Sequence, residues 1–563
     1  MIEDVYEPLK KYRDSFREKF SELTAQKFRE LLEKSGIDFE ANRKLVAEIK
    51  DLKNKSSDKS QKSTMLAFAC VLLIIVAVAC GFIAYSYSLE PEKIACLVAA
   101  CVASCILAFF AAKKCVELGK QINALKSLIS KKTDEAREQM RPLNELYTWD
   151  IPIALIEKTV PRLDFDPYLT TQRLDDLKRI FGWDDSFTDG KSILFSQSGV
   201  INGNPFVFGE YLRMVWSTKT YTGYKTISWR ESVTDGNGRR RTVTRTQTLS
   251  ASVNKPYPKF SRDRLLIYGN DAAPNLNFSR SPTGLSNAEE GFVTSIRKWF
   301  ALRDLKEYSE DLDDDSDFTL MSNHEFETLF HAKNRDNEVE FRLLFTSLAQ
   351  EQMLELLKDD EIGYGDDFTF IKRGKINLLH SKHLSASSLS TDPEIFHDWD
   401  FDRAHLNFKN FNENYFKNLY FSLAPLLAIP LYQQTRTYKD IYKGEIQSPP
   451  SSWEQEAIAN YYGAVYFKHE SSITENILKT QLVERKDGVS KVRVTANGFG
   501  GKNRVDYESV WGGDGRFHRV PIRWVEYFPV ERESYMYVSE NSPVPESLAH
   551  SDQKLRRNIY ACI

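Results

Sequence analysis

Outside two apolar runs the sequence has almost no cysteine. Of its seven cysteines, Cys70, Cys80, Cys96, Cys101, Cys105 and Cys115 lie inside or beside those runs, and only Cys562 falls elsewhere. The remaining chain can hold no disulfide framework, zinc ribbon or cysteine nucleophile away from its tail, and this usage favours the reducing cytosol. A strong charge of either sign is also missing. The net charge is -3 over 563 residues, so nothing global draws the chain to nucleic acid. Aromatic residues make up 12% but are spread over β-like segments with acids between them, unlike the basic groove that single strands require. No G-x-S-x-G elbow, kinase signature or Walker loop occurs, and the glycine-rich Asn497-Gly498-Phe499-Gly500-Gly501-Lys502 reads as a hairpin turn. Hydrophobic residues at 42% and charged residues at 28% exclude wholesale disorder, and the length implies about three or four units.

What is present, first, is a pair of apolar runs. Residues 64–87 (TMLAFACVLLIIVAVACGFIAYSY) contain no charge, and at about 1.5 Å per residue they are long enough to cross about 30 Å of hydrocarbon. Residues 94–112 supply a second crossing, and the short link Leu89-Glu90-Pro91-Glu92-Lys93 permits only an antiparallel hairpin. Tyr85 and Tyr87 fit a membrane-surface belt. The first run starts at Thr64 and exceeds a secretory core in length, which predicts that it is retained. Lys50, Lys53, Lys55, Lys59 and Lys62 precede the pair and Lys113, Lys114, Lys120 and Lys126 follow it, against Lys93 alone in the link. That asymmetry places both termini in the cytoplasm, at the inner membrane. No ionisable side chain lies inside either span, which argues against an ion path or proton relay. The cysteines read as packing residues, with Cys115 the best placed for palmitoylation.

Amphipathic stripes flank the runs. Val5, Leu9, Tyr12, Phe16, Phe20, Leu23 and Phe28 recur at helical spacing, and after a break at Ser35-Gly36 the pattern resumes with Leu45, Ile49 and Leu52. Leu118, Ile122, Leu125, Ile129 and Ala136 continue it beyond the second run as far as Pro142, which ends or kinks the helix. The two stripes either pair as an antiparallel coiled coil or cover the C-terminal region. The fold class expected is a membrane α-helical hairpin with coiled-coil-like flanking helices, plus an α+β cytosolic region with β-rich subdomains. By composition the chain divides into N-terminal amphipathic helices (1–63), the two-helix hairpin (64–112), a juxtamembrane helix (113–150), a β-rich domain (151–300), a mixed α/β module (301–440) and a C-terminal β-rich domain (441–563).

Residues 164–280 read as short strands, the clearest being a hairpin of 224–233 and 239–253 around Asp235-Gly236-Asn237-Gly238. Arg239, Arg240, Arg241 and Arg245 make one end basic, suited to anionic lipid or to a solvated strand edge. A helical stretch from about Glu289 leads into an acid-rich linker at 307–317. Its Asp311-x-Asp313-x-Asp315 spacing fails as a calcium loop, with Ser316 and Ser322 at the positions that need Gly and Glu. Next come Ser322-x-x-Glu325-Phe326-x-x-x-Phe330, Glu340-Phe341-Arg342-Leu343-Leu344-Phe345-Thr346, Met353-Leu354-x-Leu356 and Phe368-x-Phe370-Ile371. These resemble the core of a bacterial family known only as a domain of unknown function. The resemblance covers about residues 1–400, and its specific part about 320–372. It implies a helical segment and two transmembrane helices before a soluble domain, sometimes beside genes for LemA-type membrane proteins. By the residues themselves, the motif region predicts an extended segment, a helix over 338–358 and a strand over 367–372. The apolar stretch 421–431, with Pro425 and Pro430, predicts a buried helix or loop. A helix over 453–465 precedes further hairpins at 491–495, 504–510 and 518–528.

For chemistry, His380-x-x-His383 and the alternation His397-Asp398-x-Asp400-x-Asp402-x-x-His405 form the candidate metal set, because a strand would put the three aspartates on one face. Glu454 with Glu456, and His469-Glu470, become acid and base only if folding gathers them in a cleft. No resident cofactor is indicated. The reading is a membrane-anchored cytoplasmic scaffold or interaction protein, without evident catalysis, whose partners are membrane lipids and either a protein or further copies of itself. The alternatives are a membrane-tethered metal-dependent hydrolase using residues 380–405 and a sensor of anionic lipid surfaces.

Overall fold

The computed structural model describes residues 7–86, 91–234, 239–286, 301, 303, 318–435, 448–549 and 551–563. Tyr87 and the start of the Leu89–Lys93 link, the turn at 235–238, the helical stretch from Glu289 and the acid-rich 307–317 lie outside them, as does the side chain of Tyr85. The described chain is a mixture of helices and two antiparallel sheets. It forms two compact units that cut across the compositional division: Ser21–Thr148 with Asp392–Asn412, and Met1–Phe20 with Trp149–Thr391 and Glu413–Ile563.

The first of these is helical. Helix Arg17–Ser35 enters it and stops at Gly36, whose φ of 61° a side chain would oppose. Helices Phe39–Ser86 and Pro91–Asn144 then run antiparallel, as contacts that step in opposite directions along them establish: Glu48 with Lys132, Lys59 with Gln121, Ser63 with Cys115, Cys70 with Ala108 and Ala77 with Cys101. Near their polar ends Leu45 and Ile49 pack on Ala136, with Ile129 and Trp399 alongside. Farther along, the buried positions are small, Ala77, Ser104 and Ala108, so the helices approach closely. The large residues there face outward, Phe68 at 72% exposure and Phe109 at 66%. Both helices are long and apolar enough to cross a membrane. Pro142 lies inside the second helix, which ends two residues later at Asn144.

The second unit is built on two sheets. Strands β1 (Leu163–Phe165), β2 (Lys191–Ile201), β3 (Asn204–Thr234), β4 (Arg240–Gly269), β5 (Asn277–Arg280), β6 (Phe368–Arg373) and β7 (Ile376–Ser381) form one, in the order β1-β2-β3-β4-β7-β6-β5. Strands β8 (Ile477–Lys486), β9 (Val489–Trp511), β10 (Phe517–Glu540), β11 (Lys554–Arg556) and β12 (Ile559–Cys562) form the other, in the order β11-β12-β10-β9-β8. Helix Ser452–Phe467 is apolar on two faces because each meets a sheet. Trp453 and Ala457 join Ile193, Val207 and Ile267, while Ile458, Ala459 and Tyr462 join Val492, Val494 and Val538. Before a short helix at Pro430–Gln434, residues 421–429 are buried as helix Phe401–Leu427 runs on through Pro425. Tyr12, Phe16 and Phe20 stack on its Phe416 and Tyr420, so the first part of the N-terminal stripe covers this unit.

Three expectations need correction. The runs within 164–280 are not short: β3 and β4 pair without interruption from Phe206↔Tyr268 to Thr234↔Arg240. Pro256 and Pro258 do not break β4, because its outer edge has a strand partner only at residues 266–269 and no ladder donor is lost there. The segment expected to be extended before Phe330 is helix His324–Phe330, capped by the Asn323 side chain on the Phe326 amide. The single helix expected over 338–358 is two, Glu338–Leu344 and Ser347–Lys358, because Thr346 caps the second through the Ala349 amide.

The aromatics of the 326–370 stretch converge. Phe326, Phe330, Phe341, Phe345 and Phe370 surround Phe278 of β5, with ring centroids 4.7–5.9 Å apart for Phe341–Phe345, Phe330–Phe345, Phe326–Phe330, Phe278–Phe370 and Phe278–Phe330. Buried ion pairs border them, Arg280 with Asp366 at 2.6 Å and Arg335 with Glu327 at 2.7 Å. Nearby Lys372 is fully buried, its Nζ donating to the Ala272 and Gly374 carbonyls. Burial outweighs the field of Glu340 and pulls the ammonium down from 10.5 to about 7. The folded chain therefore binds this proton less readily than the unfolded chain does, and stability rises with pH from about 7 toward the ordinary lysine range. Denaturant midpoints at about pH 6.5 and about pH 9 should show this gain, and Lys372→Met should flatten it.

Candidate functional site

The structure divides the metal set between the two units. His380 and His383 belong to the sheet unit, and the 397–405 residues to the helical one. Nor is 397–402 a strand: a 3-10 turn at Pro393–Phe396 leads into helix Phe401–Leu427, whose first amides the aspartates cap. Asp398 accepts from the Asp400 amide and Asp400 from the Asp402 amide. The same carboxylates pair with cations: Asp398 with Arg403, Asp400 with Lys50 and Asp402 with Arg43. His405 stacks on Phe28 at 4.4 Å, and His397 sits 6.2 Å from the Tyr147 ring. Among the described residues no three His, Cys, Asp or Glu side chains stand together as metal ligands.

His380, on β7, points Nδ1 at the Arg264 carbonyl at 3.1 Å, and burial holds its imidazole below the ordinary range. His383 has a more suggestive setting. Its Nδ1 is 2.6 Å from Asp367, its Nε2 is 3.0 Å from Ser422 Oγ, and Tyr364 stacks on the ring at 4.1 Å. This is the order of a Ser-His-Asp triad, but the Ser422 hydroxyl also donates to the Asn418 carbonyl one helical turn back, at 2.8 Å, a bond that competes with any proton transfer to His383. The adjoining space is about 10 Å³, room for one water at most. The cluster clamps β7 to helix Phe401–Leu427 and has no place for a substrate.

Two features do reach solvent. The first is a projecting arm. β2 leaves β3 at Arg213, and β8 leaves β9 at Asn497, so beyond these points each hairpin continues as a bare ribbon. The 214–234 stretch alone spans about 70 Å at ~3.3 Å per residue. A lone ribbon is marginal in water, but here the two pack on each other. Ile227, Leu249 and Val520 form a small core flanked by Trp229, Ala251 and Val510. Lys255 pairs with Asp506 at 2.6 Å and lies over Trp524, while Trp216 meets Phe499 edge to face at 5.1 Å. At Gly223 a Cβ would strike the Pro521 carbonyl, so only glycine lets the ribbons touch. This corrects the reading of 497–502, which is not a turn but the middle of β9. Its glycines admit neighbours instead, Gly498 the Asn476 side chain and Gly500 the Phe528 ring. The arm leaves Tyr224, Trp511 and Phe517 exposed, Phe517 at 70%. Arg240 and Arg241 stand at its far end opposite Thr234 and Val233, Arg239 adjoins them, and Arg245 pairs with Glu231.

The second feature is a buried charge cluster beside a cleft. In β2 a bulge between Ile193 and Phe195 takes the Ile193 amide out of the ladder. Glu456 accepts that amide at 3.0 Å, and Asn460, one turn on, donates to the Ile193 carbonyl at 2.9 Å. Glu456 also pairs with Lys479 at 2.7 Å, yet burial still raises its carboxyl above the ordinary range. Glu454 is fully buried, accepting from Ser196 at 2.7 Å and from Arg556, with Arg557 Nη1 at 3.9 Å. Burial pulls the Arg557 guanidinium down to about 10. Both glutamates were sequence candidates, but each is spent on its own buried partners and neither lines the cleft; of His469-Glu470, the imidazole accepts from the Ser471 amide at 3.1 Å. Arg556 and Arg557, which complete the cluster, were missed, because nothing in the mixed polar tail at 551–563 marks them as buried. The adjoining cleft of about 480 Å³ is walled by Leu194, Phe195, Leu212, Tyr461, Val465 and Arg556, among others. Comparison of the chain with protein-family models, curated proteins and solved structures finds no match in any of the three.

Proposed function

We propose that the chain is a membrane-anchored cytoplasmic scaffold or interaction protein that works through its paired β-ribbons. The ribbons carry this reading. They expend some of the longest strands of the molecule on a surface without an enclosed site, held rigid by its own small core. Exposed aromatics on a rigid strand pair are suited to gripping another protein surface at little entropic cost.

The anchor is the antiparallel helix pair, a transmembrane hairpin whose polar extensions form a short coiled-coil-like stalk. Its outward Phe, Ile, Leu and Val side chains are costly in water and favourable in lipid. The lysine flanks set both termini on the cytoplasmic side of the inner membrane. The likeness to two-helix bacterial membrane proteins of unknown function agrees with this arrangement. The hydrolase alternative draws no support from its residues, which fall in two different units.

Gly223→Val forces the ribbons apart without touching the sheets. The variant should remain membrane-bound and folded, yet lose the stoichiometric partner or defined homo-oligomer that the detergent-extracted wild type yields on affinity purification and light scattering. A wild type that is a partnerless monomer sinks the reading.

A further inference from the structure

We propose that the cleft beside the β2 bulge binds a carboxylate carried on an apolar body, with Arg556 as its anchor. The argument begins with charge. Two buried guanidiniums, Arg556 and Arg557, share one fully buried carboxylate, Glu454, while Glu456 is paired with the partly exposed Lys479. A buried guanidinium that shares its countercharge is incompletely compensated, and an anion arriving alongside completes it. Arg556 is 2% exposed, lines the cleft, and has an Nη2 without a hydrogen-bond partner among the described residues. Its Nη1 is taken by Glu454, so the guanidinium is already oriented, with donor capacity left over.

The surroundings select the rest of the ligand. Lys468 and Arg262 bring the cations of the lining to three. The two carboxylates there have cationic neighbours: Glu210 with Arg264 at 2.9 Å and Glu475 with Arg262 at 3.9 Å. Two nearby negative charges disfavour a dianion such as phosphate and leave room for a monoanion. Phe195, Leu194, Leu212 and Val465 offer an apolar wall, and Asn460 and Asn476 supply polar groups that orient a ligand. A cleft of about 480 Å³ suits a single aromatic or branched acid, whether a free molecule or the last residue of a peptide.

The test uses the full chain in detergent and calorimetric titration. N-acetyl-phenylalanine should bind and its amide should not. A peptide ending in a free phenylalanine that binds more tightly than the small acid assigns the site to a peptide terminus, and the reverse order assigns it to a free acid. Lys468→Glu and Arg556→Lys should each weaken binding about tenfold or more, as loss of a charge-assisted contact does. Because Arg556→Lys also loosens the pair with Glu454, Val465→Glu serves as the independent arm. Val465 is 70% exposed, so this change leaves the buried cluster alone, places a repelling carboxylate in the cleft lining and should weaken the acid comparably. Equal binding of acid and amide, no binding of either, phosphate binding as tightly as the acid, or unchanged affinity in Val465→Glu would each overturn the proposal.

Discussion

Glu454→Gln should destabilise the sheet unit by about 3–5 kcal/mol, the usual result of removing one member of a buried ion pair. Glu454 is fully buried and is the carboxylate shared by Arg556 and Arg557, so glutamine leaves two guanidiniums in the interior without a countercharge. The amide keeps the shape and can still accept from Ser196, so the measured loss isolates charge from packing. Denaturant unfolding of the detergent-solubilised chain, followed by tryptophan fluorescence, reads it through Trp453 on the same helix. Replacing Glu454, Arg556 and Arg557 together with apolar residues of similar volume should recover most of the loss, because the desolvation cost disappears with the charges. A loss below about 1 kcal/mol for Glu454→Gln alone would mean that the arginines are neutralised from elsewhere.

An effect of similar size is expected in the aromatic core. Phe330→Ala should cost about 3–5 kcal/mol, the transfer energy of the ring plus the cavity it leaves. Phe330 stacks on Phe326 at 5.0 Å, meets Phe345 at 4.8 Å, and faces the Arg280 guanidinium at 5.4 Å, so the site cannot collapse without disturbing the Arg280–Asp366 pair. Leu343→Ala is the internal control, since Leu343 lies on the neighbouring helix Glu338–Leu344 but is 56% exposed and should change stability by less than about 0.5 kcal/mol. Equal losses from the two would mean that the motif residues do not form one core.

The contrast between Phe330 and Leu343 shows where sequence reading reaches its limit. Both are large apolar residues of the 322–346 stretch, and period and composition rank them alike. Burial separates them, and burial depends on which elements meet. The same holds for the glycine run at 497–502. Locally it reads as a turn, because glycine's freedom is a local property. In the fold it is straight strand, because what it serves is the approach of Asn476, Ile473 and Phe528. The aspartates at 398–402 would share a face on a strand, but their side chains capture the first amides of a helix, a competition that alternation cannot express.

Local chemistry by itself determined the apolar helices, the hairpin of 224–253, the break at Gly36 and the helix after Pro450, because each rests on properties carried by neighbouring residues: charge-free length, alternation around a turn, a positive φ and a cap. Only the tertiary structure decided that the two hairpins outrun their sheets and pack against each other, that His383 spends its nitrogens on a clamp, and that Glu454 meets arginines about a hundred residues away while Glu456 meets Lys479 and the Ile193 amide. Those outcomes depend on pairing between distant segments in a low-dielectric interior, where an ion pair or a glycine contact takes its meaning from a partner that no window of sequence contains.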